Sequence, residues 1–242
     1  MSTIVLIHGS WHGAWCWYKV APRLRALGHT VLVPDLPGHG RNHAPPAEVT
    51  LERQVDCVAA LLDATLAPAV VVAHSRGGLV LSALSEAHPE RVATAVYLAA
   101  VLLRDGQTVF DTAAHGADSL ILPALYRAPD DSWDMLREEA FDSALYHDCP
   151  DDDRMLARLL LAPEPLAPSL VPTRTTAARF GRVPRAYIEL TDDRAVPIGW
   201  QRYMHGQVPC AQLRAIDAGH SAYFSKPDAL AGHIDALARG AL

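Results

Sequence analysis

Ser75 stands in the stretch Val70-Val71-Val72-Ala73-His74-Ser75-Arg76-Gly77-Gly78-Leu79. The stretch reads as an apolar strand, a tight turn and the start of a helix. The serine has a small residue two positions before it and a glycine two positions after it. That is the G-x-S-x-G nucleophile-elbow pattern, with Ala73 in place of the first glycine. Small neighbours are needed because strand and helix backbones approach closely around a strained turn, and alanine is the least costly departure from glycine. At such an elbow the hydroxyl is exposed beyond the carboxyl end of the strand. The N–H of the next residue, Arg76, points to where an oxyanion would form, at the positive end of a helix. A serine that merely caps a helix at Gly77 would not need the preceding apolar strand or the paired glycines.

A serine hydroxyl is a weak nucleophile and needs a base that is itself oriented by a carboxylate. With an elbow of this kind the chain order is Ser, then Asp or Glu, then His, on loops after late strands. Ile188-Glu189-Leu190-Thr191-Asp192-Asp193-Arg194 places two aspartates just past a strand. Ile216-Asp217-Ala218-Gly219-His220-Ser221 places a histidine just past the last strand. Asp193 and His220 are 220 − 193 = 27 residues apart, room for one helix and one strand. Asp193 is the preferred acid, Asp192 the second choice and Asp217 a poorer third. His220 is one of 12 histidines and is singled out by its glycine-containing loop after the last strand. His8-Gly9-Ser10-Trp11 follows the first strand, and the N–H of Ser10 is assigned as the second oxyanion donor, paired with that of Arg76.

The elements that must position these residues are visible as alternating apolar runs and helical patterns. Ile4–Ile7, Val31–Val33, Ala69–Ala73, Val92–Ala100, Arg185–Leu190 and Gln212–Ile216 read as strands. Trp17–Leu27, a helix capped by Thr50, Gly77–His88, Gly199–Gly206 and Pro227–Arg239 read as helices;. Strands apolar on both faces and separated by helices indicate βαβ units, hence an α/β fold with a doubly wound, mostly parallel sheet. From about Leu102 to Val183 the pattern changes to helical stretches broken by prolines and acidic clusters, with no convincing strand. The expected organisation is an α/β core over 1–101 and 184–242, interrupted by a mostly helical insertion over 102–183. Ala162–Pro172 reads as an irregular connection within it.

Length and charge narrow the function classes. The chain has 242 residues and a formal charge of 21 − 27 = −6. An acidic chain without a basic cluster is poorly suited to nucleic acid or to anionic membrane surfaces. No apolar run reaches the roughly 18 residues of a membrane-spanning helix. The start of the chain runs straight into a strand, without a basic segment or cleavage site, so no signal peptide is expected. The cysteines Cys16, Cys57, Cys149 and Cys210 are scattered, which suggests free thiols and a cytoplasmic location;. No metal is expected: Asp148, Asp151, Asp152 and Asp153 lack the spacing of a calcium loop and fit a helix N-terminus better. His8 and His12 lack the glutamate of a zinc motif, and Gly38-His39-Gly40 is too short for a phosphate loop.

The opening segment His8-Gly9-Ser10-Trp11-His12-Gly13-Ala14-Trp15-Cys16-Trp17-Tyr18-Lys19, the elbow Ala73–Gly78, Thr191-Asp192-Asp193 and Gly219-His220 carry a resemblance. Together they resemble the plant methylesterase and hydroxynitrile lyase branch of the α/β-hydrolase superfamily, in a bacterial version. The resemblance implies a triad of Ser75, Asp193 and His220, with oxyanion donors at the N–H groups of Ser10 and Arg76. It also implies that 102–183 is a cap roofing an apolar pocket. Trp11, Tyr126, Trp133 and Tyr146 are candidates to line that pocket. Departures from the family pattern are Ala73, Ser10, Trp11 and Arg76, of which Trp11 and Arg76 bear on pocket size and polarity. The lyases of this group use a threonine and a lysine at positions matched here by Gly9 and Ser221. The expected function is therefore a serine hydrolase without cofactor, acting on a small or medium apolar carboxylic ester such as a methyl or activated aryl ester. The alternatives are a lyase on the same scaffold and a non-catalytic binder of small ligands. The oligomeric state stays open, a homodimer among the options.

Overall fold

The computed structural model describes residues 1–65 and 67–240. In chain order the first half carries β1 (Thr3–Ile7), α1 (Val20–Ala26), β2 (Thr30–Leu32), α2 (Leu51–Asp63), β3 (Ala69–His74), α3 (Gly77–Ala87) and β4 (Val92–Leu98). Then come β5 (Leu125–Arg127), β6 (Trp133–Leu136), α4 (Asp151–Leu160), β7 (Glu164–Pro165) and α5 (Ala167–Leu170). The chain closes with β8 (Arg185–Leu190), α6 (Ile198–Gln207), β9 (Gln212–Ile216), α7 (Ala222–Ser225) and α8 (Pro227–Arg239). Among the described residues no helix is long and apolar enough to cross a membrane.

Six strands form one sheet in the order β2-β1-β3-β4-β8-β9, and every neighbouring pair is parallel. The middle of a parallel sheet of this kind is buried on both faces, which is why β1, β3 and β4 are apolar at successive positions rather than alternately;. Ile4, Leu6, Val70 and Val72 pack with Leu24 of α1 and Ile234 of α8. Val5, Ile7, Val71 and Ala73 face the other way, onto Val58 of α2, Leu84 of α3 and Met204 of α6. The two-residue period of the strand divides them.

Local chemistry sets several boundaries. Thr50 Oγ1 accepts the Arg53 N–H at 3.2 Å and starts α2 as expected;. α1 begins at Val20 rather than Trp17, and Ala14–Trp17 is a separate 3-10 turn. A helix running from Trp17 would need the N–H that Pro22 lacks, whereas a start at Val20 leaves Pro22 in the first turn, where no such bond is required. Asp151, Asp152 and Asp153 occupy the first turn of α4, and buried Asp153 accepts from Lys19 Nζ and Tyr18 OH, each at 2.6 Å.

The segment between β4 and β8 is not simply helical. It contains α4 and short helical turns, but also a three-stranded antiparallel sheet in the order β5-β6-β7. Ala162–Pro172, read from sequence as irregular, supplies β7 and α5. Strands this short carry no usable two-residue periodicity, so the expectation of no strand is corrected here, while the regular structure of the segment remains mostly helical;.

β1 lies between β2 on one side and β3 on the other, so the winding direction of the chain reverses there. At such a reversal the connections leave in opposite directions and open a crevice beyond the carboxyl ends of the strands. Ser10, after β1, and Ser75, after β3, both lie at that crevice.

Candidate active site

All six residues of β3 are buried, and the chain then turns sharply. Ser75 has φ of 53°, the left-handed region, which costs a non-glycine residue about 1–3 kcal/mol and persists only where surrounding structure enforces it;. Here the Ser75 N–H donates to Leu98 O at 3.2 Å, and the Ser75 carbonyl accepts from Gly78 N at 3.1 Å and Val101 N at 2.9 Å. The small residues of the motif have direct causes. A Cβ on Gly77 would lie 2.6 Å from His8 O, and one on Gly78 would collide with Val101 O. A Cβ on Gly9 would lie 2.8 Å from the Cβ of Ser75, so the loop after β1 approaches the nucleophile candidate as only glycine allows.

His220 and Asp193 meet at 2.7 Å, Nδ1 to Oδ2, both buried. The other oxygen of Asp193 accepts the N–H groups of Ala195 and Val196, each at 2.8 Å. The loop carrying Asp193 is braced by buried Gln201, whose amide accepts from Leu190 N at 3.0 Å and donates to Leu190 O at 2.9 Å and Val196 O at 2.8 Å. With Nδ1 engaged by a carboxylate, Nε2 is the His220 nitrogen left to act on a hydroxyl; this tautomer is assigned from the partner. Asp192 points elsewhere: it is exposed and pairs with His147 Nε2 at 2.8 Å. Asp217 takes the Thr191 hydroxyl at 3.2 Å.

His74, the residue before Ser75, packs its ring 4.4 Å from that of His220, centroid to centroid. Its Nε2 bonds to the His220 carbonyl at 2.9 Å. Burial, then the proximity of His220 and His12, holds the His74 pKa well below the usual histidine range. A neutral His74 puts no fixed cation beside a base that must itself become cationic.

Neither the Ser10 N–H nor the Arg76 N–H has an acceptor among the described residues. Both residues line, with Ser75, a cavity of about 720 Å³ including its mouth. Its other walls are mostly apolar, among them Val101, Phe110, Leu122, Val196 and Trp200. That lining suits a small apolar ligand;.

The four aromatic candidates separate. Trp11 lines the cavity. Tyr126 and Trp133 do not: Leu125 and Arg127 of β5 and Asp134 of β6 face it, and the alternation of strand side chains turns Tyr126 and Trp133 to the opposite side;. There they meet edge to face, 5.9 Å apart. Tyr146 is fully buried in the core, with its hydroxyl 2.6 Å from His12 Nε2.

The structure also brings in residues that the sequence reading did not select. Arg76 Nη2 donates to Asp134 Oδ2 at 2.9 Å, and its Nη1 lies 4.0 Å from Glu164 Oε1. Glu164 Oε2 accepts the Trp11 N–H at 3.0 Å and faces His39 Nε2 at 3.0 Å. Asp134 Oδ1 accepts the Trp11 indole N–H at 3.0 Å. Burial by itself would raise the Glu164 carboxyl, but His39 and then Arg76, with the Trp11 N–H, bring it down to about 2. Burial opposes the charged form of His39 too, yet Glu164 raises its pKa above the usual value. The charge of Arg76 is thus absorbed by carboxylates, which leaves the cavity walls mostly apolar. Trp11 and Arg76 gave a sequence signal, as departures from the family pattern; Asp134 and Glu164 gave none.

The chain matches the profile described as the alpha/beta hydrolase family over residues 4–233. It is 34% identical over 245 residues to norfluorocurarine synthase 1 of Strychnos nux-vomica, covering 93% of this chain and 91% of that one. It is 31% identical over 243 residues to methylesterase 7 of Arabidopsis thaliana, covering 93% and 92%. The solved structure of a pyrethroid hydrolase from Sphingobium faniae JZ-2 superposes with a TM-score of 0.87 at 27% identity, covering 98% of this chain and 97% of that one.

Proposed function

The chain belongs to the alpha/beta hydrolase family, and from that premise we propose that it is a serine esterase acting on a small or medium apolar carboxylic ester. The observation that carries the reading is a convergence at one cavity. A strained serine and two amide N–H groups without an acceptor among the described residues meet there, and His74, the serine's neighbour, packs on the histidine held by a buried carboxylate. The names of the methylesterase and pyrethroid hydrolase relatives point to the same reaction class.

In this mechanism Ser75 Oγ attacks the acyl carbon while His220 Nε2 takes its proton. The carbonyl oxygen becomes an oxyanion and is held by the N–H groups of Ser10 and Arg76. Collapse expels the alcohol, which receives the proton from His220. Water then attacks the acyl-enzyme, again giving its proton to His220, and the carboxylic acid leaves as Ser75 regains a proton. Asp193 keeps the imidazole in the required tautomer and stabilises the imidazolium. The segment 102–183 acts as a cap, because it supplies Phe110, Leu122, Leu125 and Asp134 to the cavity wall. The reaction requires no cofactor.

The test is Ser75→Ala. It should remove nearly all esterase activity, on the order of 10⁴-fold in kcat or more, with the fold intact. A serine-directed phosphonate should add one adduct to the wild type and none to the variant. Labelling at another serine would overturn the assignment.

A further inference from the structure

Asp134 and Glu164 are paired directly across the β6–β7 ladder, so both carboxylates project from the same face of that small sheet;. Two like charges in that position repel unless something cationic lies against them. The Arg76 guanidinium does, and both carboxylates are almost completely buried. The two acids also reach Trp11. The Trp11 N–H donates to Glu164, its indole N–H donates to Asp134, and its carbonyl accepts the Ala162 N–H at 2.9 Å. Every polar group of Trp11 is therefore held by the segment between β4 and β8. Trp11 itself has φ of 62°, a left-handed conformation that an aromatic residue does not keep without such restraint;.

The peptide that joins Ser10 to Trp11 is gripped on both edges. Its carbonyl faces His12 Nδ1 at 2.6 Å, and its N–H points to Glu164 Oε2 at 3.0 Å. The orientation of that peptide sets where Ser10 presents its own N–H. Arg76, whose backbone N–H is the partner donor, has its side chain tied to the same pair of carboxylates.

We propose that Asp134 and Glu164 are positioning residues of the oxyanion hole, holding through Trp11 and Arg76 the two chain segments that carry its amide donors. The inference rests on the esterase reading above and adds a role for the insertion beyond roofing the cavity. A fully formed insertion is then a condition for transition-state stabilisation, since the donors must meet the oxyanion at hydrogen-bond distance and a displacement of about 1 Å costs on the order of a hundredfold.

The experiment uses the full chain with p-nitrophenyl butyrate, phenylboronic acid as a probe of the tetrahedral state, and thermal melting as a check on folding. Glu164→Ala should lower kcat about tenfold or more with KM changed less than about twofold, and should weaken phenylboronate binding by a similar factor. Glu164→Gln keeps a carbonyl acceptor for the Trp11 N–H and should recover most of the loss. Trp11→Phe keeps the ring but not the indole donor; it should shift kcat in the same direction and decides the matter if Glu164→Ala does not fold. An unchanged kcat and phenylboronate affinity in a folded variant would overturn the proposal, as would an effect confined to KM or a Gln variant no better than Ala. A wild type that neither hydrolyses the ester nor takes a phosphonate would sink the esterase reading itself, a result distinct from any of these and one that removes the oxyanion hole on which the proposal stands.

Discussion

Acid should destabilise this protein through its buried histidines before its carboxylates titrate. His12 is enclosed: Nδ1 faces the Ser10 carbonyl at 2.6 Å, while Nε2 lies 2.6 Å from the Tyr146 hydroxyl and 2.9 Å from that of Tyr223. Burial chiefly pushes the His12 pKa down to about 3. Burial, and then His39, pushes that of His8 down to about 4. Both are neutral in the fold and have pKa 6.5 when unfolded. Above that value neither state binds the proton; below it the unfolded chain takes protons that the fold refuses, so stability is lost as pH falls. At pH 5 each histidine costs about 1.5 × 1.36, or about 2 kcal/mol, and the pair costs about 4 kcal/mol. His74 adds to the loss in the same direction. One contribution runs the other way and one runs the same way. That of His39, whose pKa is raised, grows as pH falls but is nearly complete by 6.5; that of Glu164, whose pKa is lowered, is lost with acid as well, but only below 4.5;. A loss of about 4 kcal/mol is large against a total stability of about 5–15 kcal/mol. The assay is urea unfolding near pH 7 and near pH 5, on the wild type and on His12→Asn. The variant should be less stable near pH 7 but should lose about 2 kcal/mol less on acidification. A wild-type loss below about 1 kcal/mol, or an equal pH dependence in the two proteins, would refute the reasoning.

Asp193→Asn should reduce kcat by about 10⁴-fold through loss of imidazole orientation, while Asp192→Asn, on the exposed pair with His147, should change it only a few-fold;. The reverse ranking in an ester assay would make Asp192 the acid. Gly78→Ala should destabilise the fold by about 3 kcal/mol or more in a melting experiment, because the added Cβ meets the rigid Val101 carbonyl rather than a movable side chain;. A melting temperature within a degree or two of the wild type would contradict that packing. Cyanide release from mandelonitrile should not exceed background. Ser221 offers no charge to a departing anion and donates its hydroxyl to Tyr223 at 3.0 Å, and Gly9 has no room for the side chain a lyase would place there. Enzyme-dependent release that vanishes in Ser75→Ala would change the reaction class.

What could be read from the sequence was local. The strands β1, β3 and β4 announce themselves because burial on both faces demands nearly continuous apolar runs;. The elbow is legible because its requirement for small residues acts within a few positions of Ser75, at Ala73, Gly77 and Gly78. The loops carrying Asp193 and His220 could be placed because they follow strands whose type was plain. Three things were decided only by tertiary structure. Which of Asp192 and Asp193 meets His220 depends on the direction of the backbone in a loop braced by Gln201, and adjacent residues of the same type carry no mark of that direction. Which of Tyr126, Trp133 and Asp134 faces the cavity depends on the register of β5 and β6, strands too short to show a period. The union of Trp11, Arg76, Asp134 and Glu164 joins positions up to 153 apart in the chain, and Glu164 lies in a proline-rich stretch without pattern. Their chemistry comes from exclusion of water when the insertion packs on the core. Charges that would be ordinary solvated side chains in an open chain become partners only once burial makes an unpaired charge too costly to keep.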